Sequence, residues 1–110
     1  MGLADLHMHT IYSYDGTATV PDVLRRAHEV GLDVIAITDH DVIEGTLEAV
    51  KLAPHFGVDV IPGIEITTAD GDLLALFVTE LVPAGLPLVE TVLRVRELGG
   101  VCIAPHPTAG

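Results

Sequence analysis

The 110 residues suffice for one domain with a modest core. Hydrophobic residues make up 49% of the chain and its mean hydropathy is +0.51, which excludes a disordered polymer. Sixteen Asp and Glu against five Lys and Arg give a net charge of −11, a surface that repels polyanions and argues against a general nucleic-acid-binding module.

Gly2 to Leu6 reads as a first buried strand, running into Asp5-Leu6-His7-Met8-His9-Thr10. Alternate side chains of an extended strand share a face, so Asp5, His7 and His9 point the same way. Two imidazoles on one face are what a divalent cation needs to find two ligands in one segment. Residues 10–16 form a polar loop closed by Asp15-Gly16, where Asp15 is either a turn former or a carboxylate folding back on the histidines.

Thr19 and Pro21 mark a helix start, with Val20, Val23, Leu24, Ala27 and Val30 at helical spacing and Gly31 as the stop. His28 falls off that stripe and is read as solvated. Asp33 to Thr38 is a continuous apolar run of the kind found in parallel strands covered on both sides. It ends in Asp39-His40-Asp41. One of these acids can cap the next helix, but capping does not explain His40.

That helix is expected from Glu44 to His55, packing through Leu47, Val50 and Ala53. Residues 58–66 are strand-like, with Pro62-Gly63 as an interruption and Glu65 among isoleucines, a costly place for an unpaired carboxylate. Asp70-Gly71 turns the chain into Leu73 to Val78, giving a hairpin, with Asp72 at the start of its second strand as turn, cap or ligand. Leu88 to Leu98 is a third helix with Val89, Val92, Leu93 and Val95 as packing residues, stopped by Gly99-Gly100. Val101 to Ala104 is a last buried strand that delivers Pro105-His106-Pro107.

His7 and His9, His40, Glu65 and His106 thus each follow a different apolar strand. In a right-handed β-α-β succession the carboxyl ends of strands share one edge, so these groups can converge. Mixed imidazole and carboxylate ligation suits zinc, manganese or iron, and at least two ions are expected. No apolar run is long enough to span a bilayer, so no membrane partner is expected. Cys102 has no second cysteine to pair with, which makes a reducing, cytoplasmic location the default.

The segments Asp-Leu-His-Met-His-Thr, Tyr-Ser-Tyr-Asp-Gly, Ile-Thr-Asp-His-Asp, Pro-Gly-Ile-Glu and Ala-Pro-His-Pro resemble, in order, the motifs of the PHP (polymerase and histidinol phosphatase) family. The resemblance covers nearly the whole chain. It implies an α/β fold, a distorted (β/α)7 barrel, of which residues 1–110 supply only about the first half. It also implies two, or three, divalent cations held by His7, His9, Asp15, His40, Glu65 and His106, with Asp39 orienting the site. The catalytic assignments are Asp39 and His40. Many relatives carry a further histidine where Asp72 stands, so Asp72 is added to the ligand set and the third cation hangs on it. The family's later strands and their Asp-x-His motif do not occur here, and pairing of two copies would be one way to complete the barrel.

The activity implied is hydrolysis of a small phosphate ester or nucleotide by a metal-bound hydroxide. Ser13 is a weaker nucleophile candidate. Two other readings share the same ligands: an amidohydrolase-like metal-dependent hydrolase, and a non-catalytic metal-binding remnant of the fold.

Overall fold

The computed structural model describes residues 2–104. Strand β1 (Ala4–Met8) leads through a long loop to helix α1 (Val20–Glu29), then β2 (Val34–Ile37) and α2 (Glu44–Leu52), which tightens into one 3-10 turn over Ala53–His55. Strands β3 (Asp59–Thr68) and β4 (Gly71–Leu76) follow, then α3 (Leu88–Glu97) and β5 (Val101–Ile103). The sheet order is β1-β2-β3-β4-β5. β1, β2 and β3 are parallel, β4 runs antiparallel to β3, and β5 antiparallel to β4. The carboxyl ends of β1, β2, β3 and β5 therefore share one edge with the amino end of β4. The result is a five-stranded half-barrel sheet. No helix among the described residues is long and apolar enough to cross a membrane.

Strand alternation separates the core from the site. Ile35 and Ile37 of β2 join Val20, Val23, Leu24 and Ala27 of α1 and Ala49 of α2 in one cluster. Ile64 and Ile66 of β3 join Ala75, Val78, Val82 and Val95 of α3 in a second. Glu65, between those isoleucines, is thereby turned to the opposite face, as is His40, three positions beyond Ile37. The α1 boundaries follow the residues expected: Thr19 Oγ1 accepts from Asp22 N at 3.3 Å, Pro21 sits in the first turn, and Gly31 ends the helix at φ +85.

Several expectations about burial are corrected. β1 is mostly exposed rather than buried, because among the described residues it is the outermost strand and pairs with β2 alone. β5 is likewise an outer strand, with Val101 and Ile103 exposed. Val30 lies at the C-cap of α1 and is exposed.

α2 buries Gly45, Thr46 and Ala49, while Leu47 and Val50 face outward. The reason is closeness: a Cβ on Gly45 would collide with Asp39 Oδ2 and Thr10 Oγ1, so only the helix's small residues fit against the sheet. Thr46 makes that contact polar, donating to Ile37 O and accepting from Gly63 N, both at 2.9 Å. α3 buries only Thr91 and Val95, one turn apart, and exposes Val89 and Leu93.

Pro62-Gly63 does not interrupt β3. Pro62, which has no N–H to donate, sits where the strand changes partner from β2 to β4, and its carbonyl accepts from Phe77 N at 2.6 Å. Neither Asp39 nor Asp41 caps α2. The N-cap position is Ile43, with no side-chain hydrogen bond, and both acids are engaged elsewhere.

Candidate metal centre

The loop after β1 is held by side chains that never reach the centre themselves. The Asp39 carboxylate, buried, accepts from Thr10 N and, at 2.6 Å, from Thr10 Oγ1. That double grip fixes the backbone immediately after His9. Thr10 O then accepts from Ser13 N at 2.9 Å, and Ser13 O from Gly16 N at 3.0 Å. Gly16 lies so close against the Thr10 carbonyl that no side chain fits there. The buried Ser13 hydroxyl donates to Asp15 Oδ1 at 2.6 Å and accepts from His40 N at 3.1 Å. It aims two candidate ligands at once.

Main-chain bonds set the other side. His40 and Glu65 form a parallel bridge, with Glu65 N donating to Asp39 O at 3.0 Å and Asp41 N to Glu65 O at 2.9 Å. Asp41 takes a left-handed backbone at φ 54, and its carboxylate accepts from Thr67 N at 2.8 Å and Thr67 Oγ1 at 2.6 Å. The end of β2 is thus laced to β3.

Between these supports the histidines and carboxylates meet. Glu65 is 1% exposed, and its Oε1 lies 2.6 Å from His7 Nε2 and 3.0 Å from His9 Nε2. Its Oε2 lies 3.6 Å from His40 Nδ1. Asp15 Oδ2 lies 3.0 Å from His9 Nδ1 and 3.2 Å from His40 Nε2. Three sets of ligand atoms each fall within 4.8 Å of one another: His7, His9 and Glu65; His9, Asp15 and His40; His40, Glu65 and Asp72. Any two sets share one residue, so the six side chains make one continuous cluster.

Charge and protons test whether this set suits divalent cations. His9 and His40 each face a carboxylate with both ring nitrogens, whereas a neutral imidazole has one N–H to give. The arginine ion pairs among the described residues are Arg25–Asp22 and Arg94–Glu90, each within a helix, so no guanidinium compensates Glu65. Imidazoles and carboxylates converging with no guanidinium paired to them among the described residues are the donors that a divalent ion takes.

The carboxyl groups are poised for it. Burial pushes Glu65 up, but the hydrogen bond to His7 and the neighbouring His40 and His9 outweigh it and leave the group below its ordinary value of 4.5. The hydrogen bond from Ser13 holds Asp15 below its ordinary 3.8, with His9 and His40 adding to the effect.

Residues 5–95 match the PHP domain family. The chain belongs to that family. Among its relatives, an uncharacterised protein of Methanocaldococcus jannaschii is 44% identical over 94% of this chain and 67% of its own length. A phosphoribosyl 1,2-cyclic phosphate 1,2-diphosphodiesterase of Eggerthella lenta is 35% identical over 86% of this chain but only 38% of its own length. A solved two-domain protein of Bacteroides vulgatus, described as containing a PHP-like metal-dependent phosphoesterase, superposes with a TM-score of 0.76 at 25% identity, over 90% of this chain and 33% of that one. The chain thus spans well under half the length of the last two.

Of the residues expected at the site, the structure brings His7, His9, Asp15, His40, Glu65 and Asp72 together. His106 lies outside the described residues. Asp39 does not enter these sets of ligand atoms; its carboxylate holds Thr10. Ser13, read as a nucleophile candidate, is a buried positioning hydroxyl. Thr10, Gly45 and Thr67 were not singled out from sequence. Only adjacency to His9 and the small side chain of Gly45 hinted at the first two, and nothing local marks Thr67 as the partner of Asp41.

Proposed function

We propose that the chain hydrolyses phosphate esters with two, or three, bound divalent cations, of which zinc, manganese and iron suit the donors. The observation that carries this reading is the continuous cluster of six ligand-type side chains around the buried Glu65. His7, His9 and Glu65 would hold one cation, His9, Asp15 and His40 a second, and His40, Glu65 and Asp72 a third. When bound, such ions lower the pKa of water and neutralise phosphoryl oxygens.

The remaining roles belong to the protein. Glu65, shared by two ligand sets, brings negative charge into the interior where it draws cations together. Asp39, through Thr10, fixes the direction in which His9 leaves its strand. Ser13 sets the rotation of Asp15 and anchors the backbone of His40. A small phosphate ester or nucleotide suits the acidic surface better than a long polyanion, because attraction to phosphate must come from the centre.

The test is metal content together with turnover of an aryl phosphate, against an aryl carboxylic ester and an anilide, before and after chelation. Phosphate-ester cleavage that is lost on chelation and restored by zinc or manganese is the expected outcome. Cleavage of the ester or anilide alone would move the chain to amidohydrolase-like chemistry. Stoichiometric metal without turnover of any probe would make it a binding remnant.

A further inference from the structure

The chain contains two tyrosines and no tryptophan, and both tyrosines lie in the loop that shapes the centre. Tyr12 is secured, its hydroxyl donating to Glu48 Oε1 at 2.9 Å. Tyr14 is 84% exposed, yet its ring lies 4.7 Å from that of His40, centroid to centroid, tilted by 35°. A lone exposed aromatic is ordinary on a protein surface. This one stands between two residues fixed by the site, the buried Ser13 and the ligand-type Asp15, on a loop pinned through Thr10 to Asp39. Its mounting is rigid, and most of its surface is left to solvent.

The five basic residues, Arg25, Arg26, Lys51, Arg94 and Arg96, all fall on helices, and the candidate ligands are committed to cations. A flat π surface beside the centre suits another flat ring, because every base has a π-face that stacks on an aromatic side chain. The net charge of −11 works against a long nucleic-acid strand and favours a ligand carrying a single phosphate.

We infer that Tyr14 is a specificity residue, stacking on the base of a mononucleotide whose phosphate lies at the cation centre. The inference rests on the phosphoesterase reading above.

The experiment is calorimetric titration of the full chain, loaded with zinc, with adenosine 5′-monophosphate and with ribose 5-phosphate, which differ only in the base. The unaltered protein should prefer the nucleotide by roughly tenfold, the scale of one base stacked on an aromatic side chain. Tyr14→Ala should bring the nucleotide down to the level of ribose 5-phosphate while leaving ribose 5-phosphate binding and zinc stoichiometry unchanged. Tyr14→Phe should keep the preference. Equal binding of both probes by the unaltered protein, or a preference that survives in Tyr14→Ala, would overturn the inference and leave the phosphoesterase reading standing, since both phosphates bound. Loss of zinc from Tyr14→Ala would overturn it too, making the ring a support for His40. Binding of neither probe would overturn both readings. A short 5′-phosphorylated oligonucleotide is the third arm: weaker binding than the mononucleotide supports the inference, and tighter binding would replace the mononucleotide with a strand end.

Discussion

One hydroxyl at Ser13 governs the aim of two candidate ligands, Asp15 and His40. Removing an outer partner of a metal ligand typically costs about 10–100-fold in metal affinity. Ser13→Ala should therefore lower zinc affinity on that scale, measured by competition with a chromogenic chelator, while the fold by circular dichroism stays intact. Glu65 shows a second property of single residues here, since it and Asp15 both titrate below their ordinary values in the folded chain. A group so shifted binds fewer protons folded than unfolded, so its contribution to stability is complete above the ordinary carboxylate values. It is lost as pH falls through the depressed ones. The chelated protein should accordingly unfold at progressively lower urea as pH drops below about 5, the onset expected when paired carboxylates protonate. Glu65→Gln should flatten that dependence, and an unchanged slope in the variant would remove Glu65 as its source. His7, His9, His40 and Glu65 are legible in the sequence as candidate ligands because each stands where an apolar run stops at a polar side chain, whereas Asp15 reads equally well as a turn former and Asp72 joins the ligand set only through the family resemblance. Of their supports, Asp39 is expected from the family resemblance to orient the site, but its partner Thr10 is not legible, because nothing in the sequence marks a bond between residues 29 positions apart.

Helix α2 shows what periodicity alone conveys. Its strongest apolar residues, Leu47 and Val50, face outward, and the sheet is met instead by Gly45, Thr46 and Ala49. Hydrophobic spacing locates a helix, but which face is buried depends on how near the next layer comes, and here Asp39 and Thr10 come too near for a large side chain. α3 repeats the lesson with Thr91 in place of Val89. Gly45→Ala should consequently destabilise the protein by about 1–3 kcal/mol, the usual cost of overpacking a tight contact, read from urea midpoints. Because the intruding methyl presses on the Asp39 carboxylate, zinc affinity should fall in the same variant. A neutral Gly45→Ala would show that α2 can retreat without disturbing the centre.

For the molecule as a whole, the topology was readable and the edges were not. Alternating apolar runs and helical stretches, with Asp70-Gly71 as a tight turn, specify three parallel strands and a hairpin, and the structure has them. Whether a strand is covered is a property of its neighbours rather than of its own residues, which is why β1 and β5 read as buried and are exposed. The acidic composition also acts globally. Like charges repel in the compact state, and cations bound only by the folded chain relieve that repulsion while adding binding linkage of about 2.7 kcal/mol at a hundredfold excess over Kd. The melting temperature should thus rise with zinc concentration and drop on chelation in a thermal scan, and a temperature indifferent to zinc would contradict a site formed by the fold.

Strand β3 ties these levels together, because Glu65 looks inward between two isoleucines rooted in the opposite layer. A slip of one residue would put the carboxylate in oil and an aliphatic chain among the imidazoles. The placement of the carboxylate among the imidazoles and a dry interior are thus set by a single choice of frame, so a one-residue insertion or deletion ahead of Glu65 in this strand would disturb both at once.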